Sequence, residues 1–208
     1  YKNIKNAILF LLSGNMAGIL AVLYTSLAEL PVPFQPVHLL FINLLTDSLP
    51  ALAIGMEPAE RDVLSEKPRN PKGGILDRRF MALLLGQGAL IAVCTMMSFE
   101  VGLKESAALA STMAFATLTL ARLFHGFNCR SRHSIVKIGF RRNWYSLGAF
   151  ALGVLLLALV LFVPALETLF EVEALNGIQL GCVGVMAVLP TFVIQNFKVV
   201  GEVFDREK

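Results

Sequence analysis

Charged side chains are scarce in this sequence. Only 16% of its 208 residues are Asp, Glu, Lys or Arg, against 56% hydrophobic residues, and the mean hydropathy is +0.68. That balance excludes an ordinary soluble domain. Cysteine is sparse as well. Cys94, Cys129 and Cys182 are scattered without metal-binding spacing, which excludes a disulfide framework and leaves them as packing residues. No secretory signal is visible, because Lys2 and Lys5 precede an apolar block too long for one and no small-residue cleavage site follows. Internal repeats and low-complexity tracts are also missing.

What is present is apolar material in six blocks of membrane-spanning length, at about Ala7–Ala28, Val37–Ile54, Phe80–Phe99, Ala107–Phe127, Trp144–Ala165 and Gln179–Lys198. The fold class expected is an all-α polytopic membrane protein with six transmembrane helices. Charge placement gives its orientation. Of the 18 Lys and Arg residues, only Lys104 and Arg122 lie outside the two ends and two alternate loops. The remaining loops are acidic, with Glu29, Glu100, Glu105, Glu167, Glu171 and Glu173. The positive-inside rule then places both termini and both basic loops in the cytoplasm. The longest polar segment, Glu57–Arg79, carries Pro58, Pro68, Pro71 and Gly73-Gly74 and reads as an ordered cytoplasmic loop, too short for a core of its own.

A carboxylate interrupts the second block. Asp47 lies deep in Val37–Ile54, where insertion costs at least ~2.5 kcal/mol, so it marks a function by default. Asn43, Thr46 and Asp47 are spaced i, i+3, i+4, which on an α-helix gathers three oxygen-bearing side chains on one face. Pro50 lacks the N–H that the Thr46 carbonyl needs, so that carbonyl is freed. Side-chain oxygens and a freed carbonyl in a dry setting suit a hard cation such as Ca²⁺ or Mg²⁺. The plainer reading is a kinked helix whose Asp47 pairs with a basic side chain.

Other polar groups share the membrane. Ser13-Gly14-Asn15, with Gly18 beyond, reads either as a packing notch or as a carbonyl oxygen offered to a site by Asn15. Arg122 either snorkels toward the interface or points inward as a tethered cation, and Thr119 and His125 at helical spacing favour the inward face. His38, at the outer end of its block, suits a solvated role. Gly86-Gln87-Gly88 reads as close helix packing, and Gln179 and Gln195 as interfacial.

Leu44-Leu-Thr46-Asp47-Ser-Leu-Pro50-Ala, the loop Glu57-Pro58…Pro68-Arg69-Asn-Pro71-Lys72 and the entry Tyr1-Lys-Asn-Ile-Lys resemble the C-terminal half of a P-type cation-transporting ATPase. The resemblance is to type IIA calcium pumps of sarco/endoplasmic-reticulum kind, and specifically to their bacterial relatives. It covers residues 1–208 as transmembrane helices five to ten. It implies that Asn43, Thr46 and Asp47 correspond to the helix-six cation ligands and Asn15 to the helix-five asparagine. Two departures stand out, both at carboxylates of the same ion site. Gly18 stands where the two-ion pumps carry a helix-five glutamate, and Arg122 where they carry a helix-eight glutamate. A guanidinium there repels a divalent ion, so the resemblance implies a one-ion pump with Arg122 as the charge-compensating group.

The same resemblance makes the chain a fragment. An Asp-Lys-Thr-Gly phosphorylation motif is not found, and the phosphorylation, nucleotide and actuator domains are absent, so Mg²⁺ and ATP belong to missing parts and the fragment alone hydrolyses nothing. The implied protein is a translocase of the bacterial plasma membrane that exports Ca²⁺, one ion per cycle with proton counter-transport, Mn²⁺ being the competing ion. Its partners are the bilayer and the N-terminal half of the same pump, including helix four and the phosphorylation domain, and not nucleic acid. A different class competes: a self-contained six-helix secondary transporter with Asp47 as ion or proton relay.

Overall fold

The structure, a computed structural model, describes residues 1–58 and 76–206. Among these the chain is all helical, without strands. Helix α1 spans Lys2–Leu27. The second apolar block is broken into α2 (Pro36–Phe41), a π-helical turn (Ile42–Thr46) and α3 (Ser48–Gly55). There follow α4 (Arg78–Leu103), α5 (Ala107–Cys129), the short α6 (Ile135–Ile138), α7 (Trp144–Phe162), α8 (Pro164–Phe170) and α9 (Gly177–Arg206). Six of these stretches are long and apolar enough to cross a bilayer, with α2 to α3 counted as one. The chain is a multi-pass membrane protein.

Local chemistry sets the starts and stops. Asp77 Oδ1 accepts the Phe80 N–H at 2.7 Å, Ser106 Oγ the Leu109 N–H at 2.9 Å and Asn143 Oδ1 the Ser146 N–H at 3.1 Å. Each satisfies a first-turn donor that the helix itself leaves unpaired. Pro36 and Pro164 open α2 and α8, where a missing N–H is harmless. Pro164 also ends α7, because the residue before a proline is pushed out of the α region and Val163 is extended. The apolar run to Ala165 is therefore two helices with a bend.

α5 is the hub. It packs against α1, α3, α4, α7 and α9, and 78% of its most apolar stretch is buried, against 28% for α9. The outer helices turn Ile4, Leu23, Val185 and Phe192 outward, as a bilayer-facing surface requires. Gly88 of α4 sits where an added Cβ would meet the Ser13 carbonyl of α1 at 2.9 Å. The close packing expected of Gly86-Gln87-Gly88 thus rests on Gly88, while Gly86 borders open space. All three cysteines are free.

Candidate cation site

The break in the second span is built from its own backbone. The Asp47 N–H reaches back to the Ile42 carbonyl, five residues earlier, at 2.9 Å, and the Thr46 hydroxyl donates to the same carbonyl at 3.0 Å. Pro50 falls in the first turn of α3, where its ring would collide with the Thr46 carbonyl of a continuous α-helix. The turn widens instead, as π-helical insertions at functional sites do. Asp47 is left at the joint, buried, with Thr46 beside it.

Arg122 meets it there. Its Nη2 donates to Asp47 Oδ2 and to Asn15 Oδ1 at 3.0 Å, and both charged side chains are almost wholly buried. The guanidinium therefore points inward and does not snorkel. Gly14 makes room for it, since a Cβ at residue 14 would lie 2.5 Å from Arg122 Nε and 2.7 Å from Cζ. The notch read from Ser13-Gly14-Asn15 admits the Arg122 side chain at Gly14 and the α4 backbone at Ser13, where Gly88 closes on its carbonyl. Gly18 leaves an opening: the nearest atom to an added Cβ there is Leu118 Cδ2 at 4.0 Å.

The pair is incompletely satisfied. Asp47 Oδ1 and Arg122 Nε are buried without a hydrogen-bond partner among the described residues. Buried polar atoms are rarely left so, and an unpaired carboxylate oxygen at a helix break suits an additional positive ligand. The rest of the set is uneven. Asn15 and Asn43 are exposed, and Asn43 makes no side-chain hydrogen bond among the described residues. Thr46 is buried with its hydroxyl proton committed to Ile42 and its lone pairs still available. The π turn unwinds the i, i+3, i+4 spacing, which separates exposed Asn43 from buried Thr46 and Asp47. No group of three His, Cys, Asp or Glu side chains capable of holding a metal occurs among the described residues, and Asp47 brings the negative charge to this cluster.

Two histidines have fixed surroundings. His38 is fully buried, not solvated at a helix end as its position suggested. It stacks on Phe115 with ring centroids 4.3 Å apart. Its Nδ1 accepts the Gln35 N–H at 3.2 Å and its Nε2 donates to the Phe170 carbonyl at 2.7 Å, which defines one neutral tautomer. The loop carrying α8 folds over it, and that cover has no local signature in sequence. His125 lies within 2.9 Å of Ser13 Oγ and extends the polar side of α5 below Arg122. Gln179 and Gln195, expected at the interface, tie elements together: Gln179 Nε2 donates to Glu105 at 3.0 Å and Gln195 Nε2 to Asn128 at 2.7 Å.

One ionic cluster escaped the sequence reading. Glu57 belongs there to an ordered cytoplasmic loop with no partner assigned, and it is buried just past the end of α3. Its carboxylate accepts from Arg130 Nε at 2.8 Å, Arg130 Nη2 at 3.1 Å and Asn143 Nδ2 at 2.8 Å. In sequence Glu57 is one acid in a charged segment, and nothing local distinguishes it. Residues 59–75 of that segment lie outside the described residues.

Relatives bear on what these groups serve. The sequence profile described as "Cation transporting ATPase, C-terminus" matches residues 31–200. The chain is 39% identical over 197 residues to the "Calcium-transporting ATPase" of Bacillus subtilis, an alignment covering 93% of this chain and 22% of that protein. It is 37% identical over 208 residues to the "Calcium-transporting ATPase 1" of Lactococcus lactis, covering 99% of this chain and 24% of that protein. A rat "Calcium-transporting ATPase type 2C member 2" shares 33% over 187 residues, covering 86% of this chain and 20% of that protein. The chain thus spans less than a quarter of the length of these relatives. With a buried acid at a broken membrane helix and a profile match across most of its length, it belongs to the family of cation-transporting ATPase C-terminal regions.

Proposed function

We propose that this chain is the membrane part of an ATP-driven pump that exports Ca²⁺, with both termini and both basic loops cytoplasmic and the bacterial plasma membrane as its location. The carrying observation is Asp47, a buried carboxylate with one unpartnered oxygen at a π-helical break, in a chain whose relatives are named calcium-transporting ATPases. Asp47 supplies the charge, and Asn43, Thr46 and Asn15 supply neutral oxygens. Exposed Asn15 and Asn43 leave the cluster open on one side, which suits completion by helix four of the pump's N-terminal half. Energy arrives through an aspartyl-phosphate formed with Mg²⁺ and ATP in the other domains. The segment 57–79 couples to the phosphorylation domain.

Arg122 sets the stoichiometry. Its guanidinium lies against Gly14 and bonds Asn15, so a permanent cation stands where a second divalent ion would need ligands. When Ca²⁺ arrives, Asp47 exchanges Arg122 for the ion; when it leaves, Arg122 takes the carboxylate back. That exchange spares the empty site an uncompensated buried charge. The reading is one Ca²⁺ per cycle with proton counter-transport. A self-contained secondary transporter is not favoured, since the matched relatives are ATPases.

Radiolabelled Ca²⁺ binding at equilibrium on the purified intact pump tests this. One ion per molecule is expected, with ATPase activity stimulated by Ca²⁺. Two ions per molecule would refute the role given to Arg122, and stimulation by Na⁺ or K⁺ alone would refute the pump reading. Mn²⁺ run in parallel determines the selectivity.

A further inference from the structure

The broken half-helix α3 is held at each end by a buried acid–arginine pair, and both arginines come from α5. Asp47 immediately precedes α3 and Glu57 follows its last residue by two. Arg122 lies within α5 and Arg130 caps its end. The arginines are eight residues apart, about 12 Å along a helix, and the acids ten residues apart across α3. The same two elements are therefore pinned twice, once at the candidate cation site and once at the basic end of the bundle.

The two pins differ in kind. At the inner one a single nitrogen, Arg122 Nη2, reaches the carboxylate, while Asp47 Oδ1 and Arg122 Nε are unpartnered among the described residues. At the outer one Arg130 grips both Glu57 oxygens with Nε and Nη2. Its Nη1 donates to the Phe140 carbonyl at 3.2 Å. Asn143 Nδ2 bonds Glu57 Oε2 and the Ala53 carbonyl, each at 2.8 Å. Asn3 of α1 donates to the Gly55 carbonyl at 3.1 Å and the Glu57 carbonyl at 2.7 Å. At the end of α3 the backbone N–H groups of Met56 and Glu57 bond the Leu52, Ala53 and Ile54 carbonyls, and side chains from α1 and the start of α7 add bonds to those of Gly55 and Ala53. A bidentate, fully bonded pair is the strong form of this interaction. The one-bond pair is the form that a competing cation can open.

We propose that Glu57 and Arg130 are positioning residues for the cation site: their ion pair is a fixed pivot on which α3 swings when Asp47 leaves Arg122 for Ca²⁺. This rests on the pump reading above. The π turn interrupts the α-helical ladder between α2 and α3, so α3 needs a second anchor to fix where Asp47 sits. The outer pair does that, and it keeps Arg122 close enough to recapture the carboxylate. Loosening the pivot lets Asp47 wander in both states, which weakens Ca²⁺ binding without touching any atom that binds the ion.

The test uses the intact pump with Glu57→Gln, which keeps an acceptor and loses the charge, and Arg130→Lys, which keeps the charge and loses the fork. Each is expected to raise the Ca²⁺ concentration for half-maximal binding and phosphorylation about tenfold, and Arg130→Lys, which lies outside the coupling segment, is expected to keep turnover at saturating Ca²⁺ within about twofold of wild type. The discriminating measurement is a cycle with Arg122→Ala. If the pivot acts through the inner pair, Glu57→Gln shifts Ca²⁺ affinity far less in the Arg122→Ala background than in wild type. Unchanged half-saturation in both single variants overturns the proposal. So does an equal shift in both backgrounds, which marks a merely structural pair. Should Glu57→Gln fail to fold, Arg130→Lys and the doubly neutral Glu57→Gln, Arg130→Gln pump carry the same cycle. Wild type that binds no Ca²⁺ overturns the pump reading and this inference with it. Wild type that binds normally beside unaffected variants overturns the inference alone.

Discussion

Arg122 and Gly14 form one unit, because the guanidinium occupies the space that a Cβ at residue 14 would take. Gly14→Ala is expected to destabilise the protein by about 1–3 kcal/mol, as overpacking does. Gly18→Ala meets nothing closer than 4.0 Å and is expected to be neutral or to stabilise by up to about 1 kcal/mol through helix propensity. Thermal unfolding of both variants in detergent checks the contrast; equal losses would contradict it. A different residue governs acid behaviour outside the membrane. Asp77 accepts from Lys5 Nζ at 2.5 Å and caps α4 through Phe80, and Lys5 first, then that backbone bond, hold its carboxyl below the ordinary aspartate range. Its contribution is therefore present above the unfolded-state value and lost as pH falls through the lower folded-state value. Amide exchange at Phe80 should accelerate over that acid window relative to Leu109, whose Ser106 cap does not titrate. A parallel response at both amides would exclude Asp77 as the cause.

At the scale of the element, the second span carries the most consequence. Pro50→Ala restores an N–H to the Thr46 carbonyl and removes the ring that forbids a continuous helix. The span is expected to straighten and Ca²⁺ affinity to fall by about tenfold or more, since the carbonyl then bonds within the helix. Equilibrium Ca²⁺ binding beside a melting curve measures both, and unchanged affinity with higher stability would remove the break from the site. That break also marks where sequence reasoning reached and where it stopped. Asp47, Pro50 and Arg122 were legible because each is anomalous in an apolar run, and anomalies at membrane depth have few explanations. The exposure of Asn43 was not, because the ideal i, i+3, i+4 register holds only for an α-helix and this turn is π. The burial of His38 depends on Phe170, 132 residues away. The Glu57–Arg130 pair joins residues 73 apart, each drawn from a segment rich in similar charges.

For the whole molecule, six spans and a membrane class followed from hydropathy alone, since bilayer thickness leaves few alternatives. The arrangement around α5 did not, because hydropathy ranks segments by composition and carries no partner information. If Arg122 stands in place of a second ion, reversing that exchange should have a visible effect. Gly18→Glu combined with Arg122→Glu is expected to raise Ca²⁺ bound per intact pump above the wild-type value, read at equilibrium with radiolabelled ion. No gain in a folded double variant would place the lost site elsewhere.

The burial of α5 also bears on how the chain is made. It is the least apolar of the six spans and carries Thr112, Thr117, Thr119, Arg122, His125 and Asn128, all buried by protein. An isolated helix with an arginine inside its span enters lipid at a cost of several kcal/mol. Its acceptors, Asp47 and Asn15, lie on spans synthesised earlier. During biogenesis α5 thus needs α1 and the broken span in place to receive its arginine, and α7 and α9, which follow it, complete the cover that dissolves its polar side chains in protein rather than in lipid.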